Sequence, residues 1–130
     1  MTKGGNVFDV LKVNGASELT EKQRLFAWLF HLAQGRAYAT GHEVIIGETW
    51  RGPAQVNAYA RAGKGHRKTL HALCLAGHLW LFLNGVYLTE TSDYEALGTW
   101  WCAQHPLARW GGHFAKPDGV HLSVSHQGMA

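Results

Sequence analysis

Asn84-Gly85, set between the apolar runs His78–Leu83 and Val86–Leu88, restricts the fold more than any other feature of this chain. A two-residue hairpin connection requires positive φ at both central positions, and Asn-Gly supplies them at little steric cost. The spacing predicts an antiparallel hairpin, so the rest of the fold has to be built around a sheet. Helical periodicity begins near Ser17, where Ser17 or Thr20 can accept the first free backbone N–H groups. Leu25, Trp28, Leu29 and Leu32 then recur at helical spacing before Gly35. His31 lies beside that stripe and reads as a packed or surface residue.

Glu43–Gly47 reads as a short strand, and Pro53 suits the first position of a helix over 54–62 that Gly63 and Gly65 end. Ser92 or Asp93 can cap a helix reaching Gln104, with Leu97, Trp100 and Trp101 as its packing residues and Pro106 beyond its end. Arg109–Phe114, a turn at Lys116-Pro117-Asp118-Gly119, and alternation through Val120, Leu122 and Val124 predict a second pair of strands. Helices mixed with hairpin strands, without repeating strand-helix-strand units, indicate an α+β fold: a small, mainly antiparallel sheet flanked by helices. At 130 residues the expectation is one domain, 1–130, with 1–16 as a loosely ordered arm.

Composition narrows the function classes. Hydrophobic residues at 46% and charged residues at 16% argue against disorder. No apolar run approaches the roughly 20 residues of a membrane helix. Residues 1–13 hold no secretory apolar stretch, which predicts synthesis and initial retention in a cytoplasm. Cys74 and Cys102 are too few for a disulfide scaffold and are expected to be buried thiols. The net charge of +3 favours polyanionic partners, but the basic residues are scattered and accompany no nucleic-acid motif, so no nucleic-acid partner is expected. The loop with Lys64, His66, Arg67 and Lys68 can form an anion-facing rim, or be simply solvated.

Nine histidines in so short a chain need an account. His71 precedes the predicted hairpin, His78 begins it, and His121 sits on the last strand. Three is the number of protein ligands in a catalytic zinc site, which leaves its fourth position to water. Spacing alone leaves open whether each imidazole is merely a hydrogen-bonded polar residue.

The surrounding residues carry a resemblance. Glu48-Thr49-Trp50-Arg51-Gly52-Pro53, Thr69-Leu70-His71, Leu75 to Phe82, Arg109 to Phe114 and Asp118 to Ser123 together resemble the zinc L-alanyl-D-glutamate peptidases and D-alanyl-D-alanine carboxypeptidases of phage endolysins. That family's pattern is S-x-H, six residues, D, and a later D/E-x-x-H; the likeness runs from about Gly47 to Gly128. It implies a fold of the Hedgehog and D-Ala-D-Ala-carboxypeptidase kind and zinc as cofactor. The implied ligands are His71, His78 at the family's aspartate position, and His121. It also implies Asp118 as general base and Arg51 beside the substrate carboxylate or oxyanion, with Gln55 and His113 lining the cleft. On an extended strand three residues span roughly 10 Å, so a turn at Gly119 has to fold Asp118 back. Thr69, Trp80, Val120 and Leu122 depart from the family's serine, asparagine, asparagine and phenylalanine.

The function implied is a monomeric, zinc-dependent, endolysin-like peptidase that hydrolyses a bond of the peptidoglycan stem peptide, L-Ala-D-Glu or one beside a D-residue. It would be made in the host bacterial cytoplasm and reach the periplasm and cell wall after membrane permeabilisation. The alternative is a non-catalytic peptidoglycan- or metal-binding protein on the same fold.

Overall fold

The computed structural model describes residues 18–64 and 69–130. Ser17, the arm expected over 1–16, and His66, Arg67 and Lys68 of the basic loop lie outside the described residues.

Helix α1 spans Glu18–Ala39. Its first turn carries Glu18 and Glu21 and its last turn Arg36, charges that complement the helix dipole, and Lys22 bonds Glu18 at 2.7 Å one turn away. The buried stripe is Leu25, Phe26, Leu29, Phe30, Ala33 and Ala37. Trp28, expected in the core, is 39% exposed and lies with His31 on the outer face, ring centroids 5.6 Å apart. The sequence offers two overlapping apolar stripes, and packing on the sheet selects the one with the two phenylalanines. Gly35 does not end the helix, which runs on to Ala39 before Gly41 takes φ +90°. Nothing lies within 4 Å of a Cβ added at Gly35. Gly35→Ala is therefore expected to stabilise the fold by about 0.5–1 kcal/mol, read as a raised midpoint in urea; a lowered midpoint contradicts it.

Strand β1, Glu43–Ile46, pairs antiparallel with β2, Ala76–Leu83, in the register Ile45 opposite Trp80 and Ile46 opposite Leu79. Between them, α2 spans Pro53–Arg61 and ends where Gly63 takes φ +73°. The Asn84-Gly85 turn forms as expected, with φ of 51° and 77°, and returns the chain into β3, Val86–Tyr87. A 3-10 turn, Thr91–Tyr94, leads into α3, Glu95–Gln104. Ser92 lies inside that turn, and the Asp93 carboxylate accepts from the Glu90 N–H at 3.0 Å. Capping thus begins earlier than the polar residues alone indicate.

Strand β4, Ala108–Trp110, and β5, His121–Val124, form the second pair, but β5 inserts between β2 and β4, giving the order β1-β2-β5-β4 with β3 on β2. All four β5 residues are buried, where simple alternation predicted one wet face. A Cβ at Gly77 would meet the Phe30 and Phe26 rings within 3.0 Å, so Gly77 and its partner Leu122 face α1. His78 and His121 point the other way. The architecture is α+β: α1 and α3 on one face of a small antiparallel sheet and a histidine-bearing face opposite. Trp101, fully buried, ties α3 to that sheet by donating its Nε1–H to the Ser123 carbonyl at 3.0 Å and meeting Phe26 edge-on at 6.0 Å.

Among the described residues no helix is long and apolar enough to cross a membrane. Both thiols differ from expectation. Cys74 is exposed because it closes the turn after His71 in a left-handed conformation, φ 57°. Cys102 is half-buried on α3, and burial pushes its thiol pKa up.

Candidate metal centre

Two of the three histidines are set by strand register. His78 and His121 are direct partners across β2 and β5. The His78 backbone bonds go instead to the segment just after β1, from the Gly47 N–H at 2.8 Å and to the Glu48 carbonyl at 2.9 Å. Leu79 N–H donates to Val120. The histidines therefore form a non-hydrogen-bonded pair, the closer of the two antiparallel spacings. The third arrives on the 3-10 turn Leu70–Leu73, where the Thr69 hydroxyl accepts from the His71 N–H at 3.3 Å and the His71 carbonyl accepts from the Arg51 N–H at 3.0 Å. Thr69 thus caps this turn.

The rings converge. Centroids are 4.6 Å apart for His71 and His78, 5.2 Å for His71 and His121, and 5.7 Å for His78 and His121. One nitrogen from each lies within 4.8 Å of the others, an arrangement that could hold a metal ion. His71 Nδ1, His78 Nε2 and His121 Nε2 are buried without a hydrogen-bond partner. An unsatisfied buried polar atom costs about 1–3 kcal/mol, and three of them in one cluster fit a cation that accepts imidazole nitrogen.

Electrostatics point the same way. Burial, with the neighbouring His78 and Arg51, lowers the His71 pKa to about 4. Burial, with His71 and His78, lowers that of His121 to about 3. Burial also lowers His78, against the opposing pull of Asp118 and Glu48. Neutral imidazole is the metal-binding form. An unfolded chain takes up these protons near pH 6.5, whereas the metal-free fold refuses them until about pH 4 and 3. Stability of the metal-free protein is then fully present above pH 6.5 and drains as pH falls toward 3, at a slope approaching about 3 kcal/mol per pH unit for two protons. Urea midpoints measured between pH 7 and 4 check this; a flat profile contradicts it.

Asp118 is folded back as the sequence requires. The His121 N–H donates to the Asp118 carbonyl at 3.2 Å and the Asp118 N–H to the Gly111 carbonyl at 2.9 Å. Its Oδ2 stands 3.7 Å from His78 Nε2 and 3.9 Å from His121 Nδ1. Gly119 does not adopt positive φ, and its lack of a side chain instead allows close approach to Thr91, 3.1 Å from a notional Cβ. Gly111 is equally constrained, since a Cβ there would fall 2.1 Å from the Asp118 carbonyl oxygen.

Arg51 reaches the same cleft, about 590 Å³ in volume, whose walls also include His71, His78, Asp118 and His121. Its Nε–H and a terminal N–H both donate to Glu48 Oε1, the former at 2.8 Å, and its guanidinium lies 4.9 Å from the Tyr59 ring centroid. Burial pulls the Glu48 carboxyl pKa upward, but the hydrogen bonds and charge of Arg51, helped by His71 and His78, hold it below the usual range. Glu48, 3.9 Å from His71 Nδ1, is a site residue that its place beside Arg51 hinted at without defining. Phe114, whose ring lies 5.0 Å from His121, Lys64 and Lys116 complete the wall. Gln55 and His113 lie elsewhere. Burial of Val56 turns its neighbour Gln55 to solvent, and His113 is exposed with its ring edge-on to Trp110 at 5.0 Å.

No protein-family model matches the sequence, and no curated protein matches it. Among solved structures, the chain is similar to the Serratia marcescens L-Ala D-Glu endopeptidase ChiX, with a TM-score of 0.61 over 92% of this chain and 96% of that one, at 18% identity. The two share a fold.

Proposed function

We propose that this protein is a zinc-dependent peptidoglycan peptidase of the endolysin kind, acting on the stem peptide at L-Ala-D-Glu or at a bond beside a D-residue. The observation that carries this reading is the cluster of three partnerless, buried imidazole nitrogens with the Asp118 carboxylate within 4 Å of two of the rings. The fold shared with an L-Ala D-Glu endopeptidase supports the choice of substrate.

His71, His78 and His121 would hold the zinc, which when bound supplies an acidified water and a positive charge beside the peptide carbonyl. Three neutral ligands leave that centre one unit more positive than two histidines and an aspartate, favouring an anionic substrate. Asp118 accepts the proton of the attacking water at Oδ2. As the C–N bond breaks, it returns that proton to the departing amine, so the carboxylate is regenerated. Arg51, held by Glu48 and Tyr59, offers its remaining N–H groups to a substrate carboxylate or to the developing oxyanion. Lys64 and Lys116 add positive charge to the same wall.

Metal analysis of the purified protein, together with mass spectrometry of digested peptidoglycan, tests the proposal. One zinc per chain and new amine termini within the stem peptide are expected. Bound zinc without hydrolysis favours a non-catalytic binding protein, and absence of zinc binding rejects the zinc peptidase and leaves only a metal-free peptidoglycan-binding protein on this fold.

A further inference from the structure

The sheet face turned away from α1 carries more than imidazoles. Side chains alternate along β2, so Leu79 and Leu81 enter the core while His78, Trp80 and Phe82 point outward together. Trp80 is paired with Ile45 of β1, and Phe82 with Tyr87 of β3. The Tyr87 ring lies 6.4 Å from that of Trp80 and 5.4 Å from that of Phe82. Trp80, Ile45 and Tyr87 remain 38%, 46% and 45% exposed, an apolar platform of the kind that marks a binding surface.

Trp80 is also laid toward the metal centre. A Cβ at Gly47 would stand 3.0 Å from the His78 Cβ and 3.1 Å from the Trp80 indole, so the histidine stem and the indole flank one glycine. A larger residue at 47 would push the indole away from the site.

We infer that Trp80 is a specificity-determining residue that stacks on a pyranose ring of the glycan strand bearing the stem peptide; this rests on the peptidase reading. Spacing supports a sugar as the occupant. Successive side chains on one face of a strand are about 7 Å apart. In peptidoglycan, a bond between L-Ala and D-Glu is separated from the sugar ring by one residue and a short lactyl link. A scissile bond at the histidines thus brings the nearest ring to the next outward position, Trp80. The chemistry agrees: a pyranose presents a flat C–H face rimmed by hydroxyls. Trp80 and Tyr87 combine apolar rings with an N–H and an O–H, and Glu43, paired with Phe82, adds an acceptor at the edge.

The test compares a disaccharide-linked tetrapeptide with the same free tetrapeptide, by kcat/KM in the zinc-loaded protein and by calorimetric binding in an Asp118→Asn background. The native Trp80 protein is expected to favour the glycan-linked ligand by about 10-fold, mainly through KM. Trp80→Leu, which keeps an apolar side chain against Ile45 and Gly47, should abolish that preference, and Trp80→Phe should restore part of it. No preference in the native protein, or an undiminished one in Trp80→Leu, overturns the inference. Hydrolysis of neither ligand by the native protein overturns the peptidase reading instead, and the binding comparison still decides the role of Trp80.

Discussion

Exchange of Asp118 for asparagine is expected to lower peptidoglycan hydrolysis by about 10²–10⁴-fold, the usual contribution of a positioned general acid-base group, while zinc stays bound. The amide has the shape of the carboxylate but cannot take a proton from water. Its position should survive, because the segment is fixed by backbone bonds from the Asp118 N–H to Gly111 and from the His121 N–H to the Asp118 carbonyl. With its side chain 43% exposed, Asp118 also contributes little to the core. Initial rates on purified peptidoglycan, measured beside metal content, decide the matter. Unchanged turnover rejects Asp118 as the base, and loss of zinc reassigns it as a ligand.

The second large effect is expected at the metal centre. Zinc at about a thousand times its Kd should stabilise the native protein by about 4 kcal/mol, a rise of about 10 °C or more in Tm for a chain of this size. His78→Ala should remove most of that rise, since two imidazoles remain where three are needed. The metal-free variant should not be markedly weaker than the metal-free parent, because the substitution also removes a buried, partnerless nitrogen. Thermal scans with and without zinc separate the two effects. An equal zinc-induced shift in both proteins shows that His78 is not a ligand.

Three readings that depended on local backbone chemistry agree with the structure. Asn84-Gly85 turns the hairpin, Pro53 opens α2 and Gly63 closes it. Each is decided within a few residues by φ preferences or by a missing N–H, so tertiary context has little to alter. Several of the readings that failed concerned direction. Trp28 is as apolar as Phe26 and Phe30, and periodicity cannot say that it alone of the stripe Leu25, Trp28, Leu29 and Leu32 turns away from the core. Gln55 differs from a cleft residue only by the rotation that buries Val56. Cys74 is exposed because a left-handed residue closes its turn, which residue type alone does not reveal.

For the site, the chemical identity of the participants was legible, and their meeting was not. His71, His78 and His121 stand out in the chain by residue type, and the resemblance to the zinc peptidases singles out Asp118 and Arg51 beside them. Nothing local says that β5 inserts beside β2, or that its register sets His121 opposite His78 rather than one residue over, where the ring would face α1. A one-residue slip reverses every side chain on a strand, so the convergence of the three imidazoles is a property of long-range pairing. The sequence by itself determined the turns, the element types and the kinds of donor atom present. Only the tertiary structure decided which nitrogens lost their partners, which carboxylate stands beside them, and which indole shares their face, because each follows from packing between segments distant along the chain.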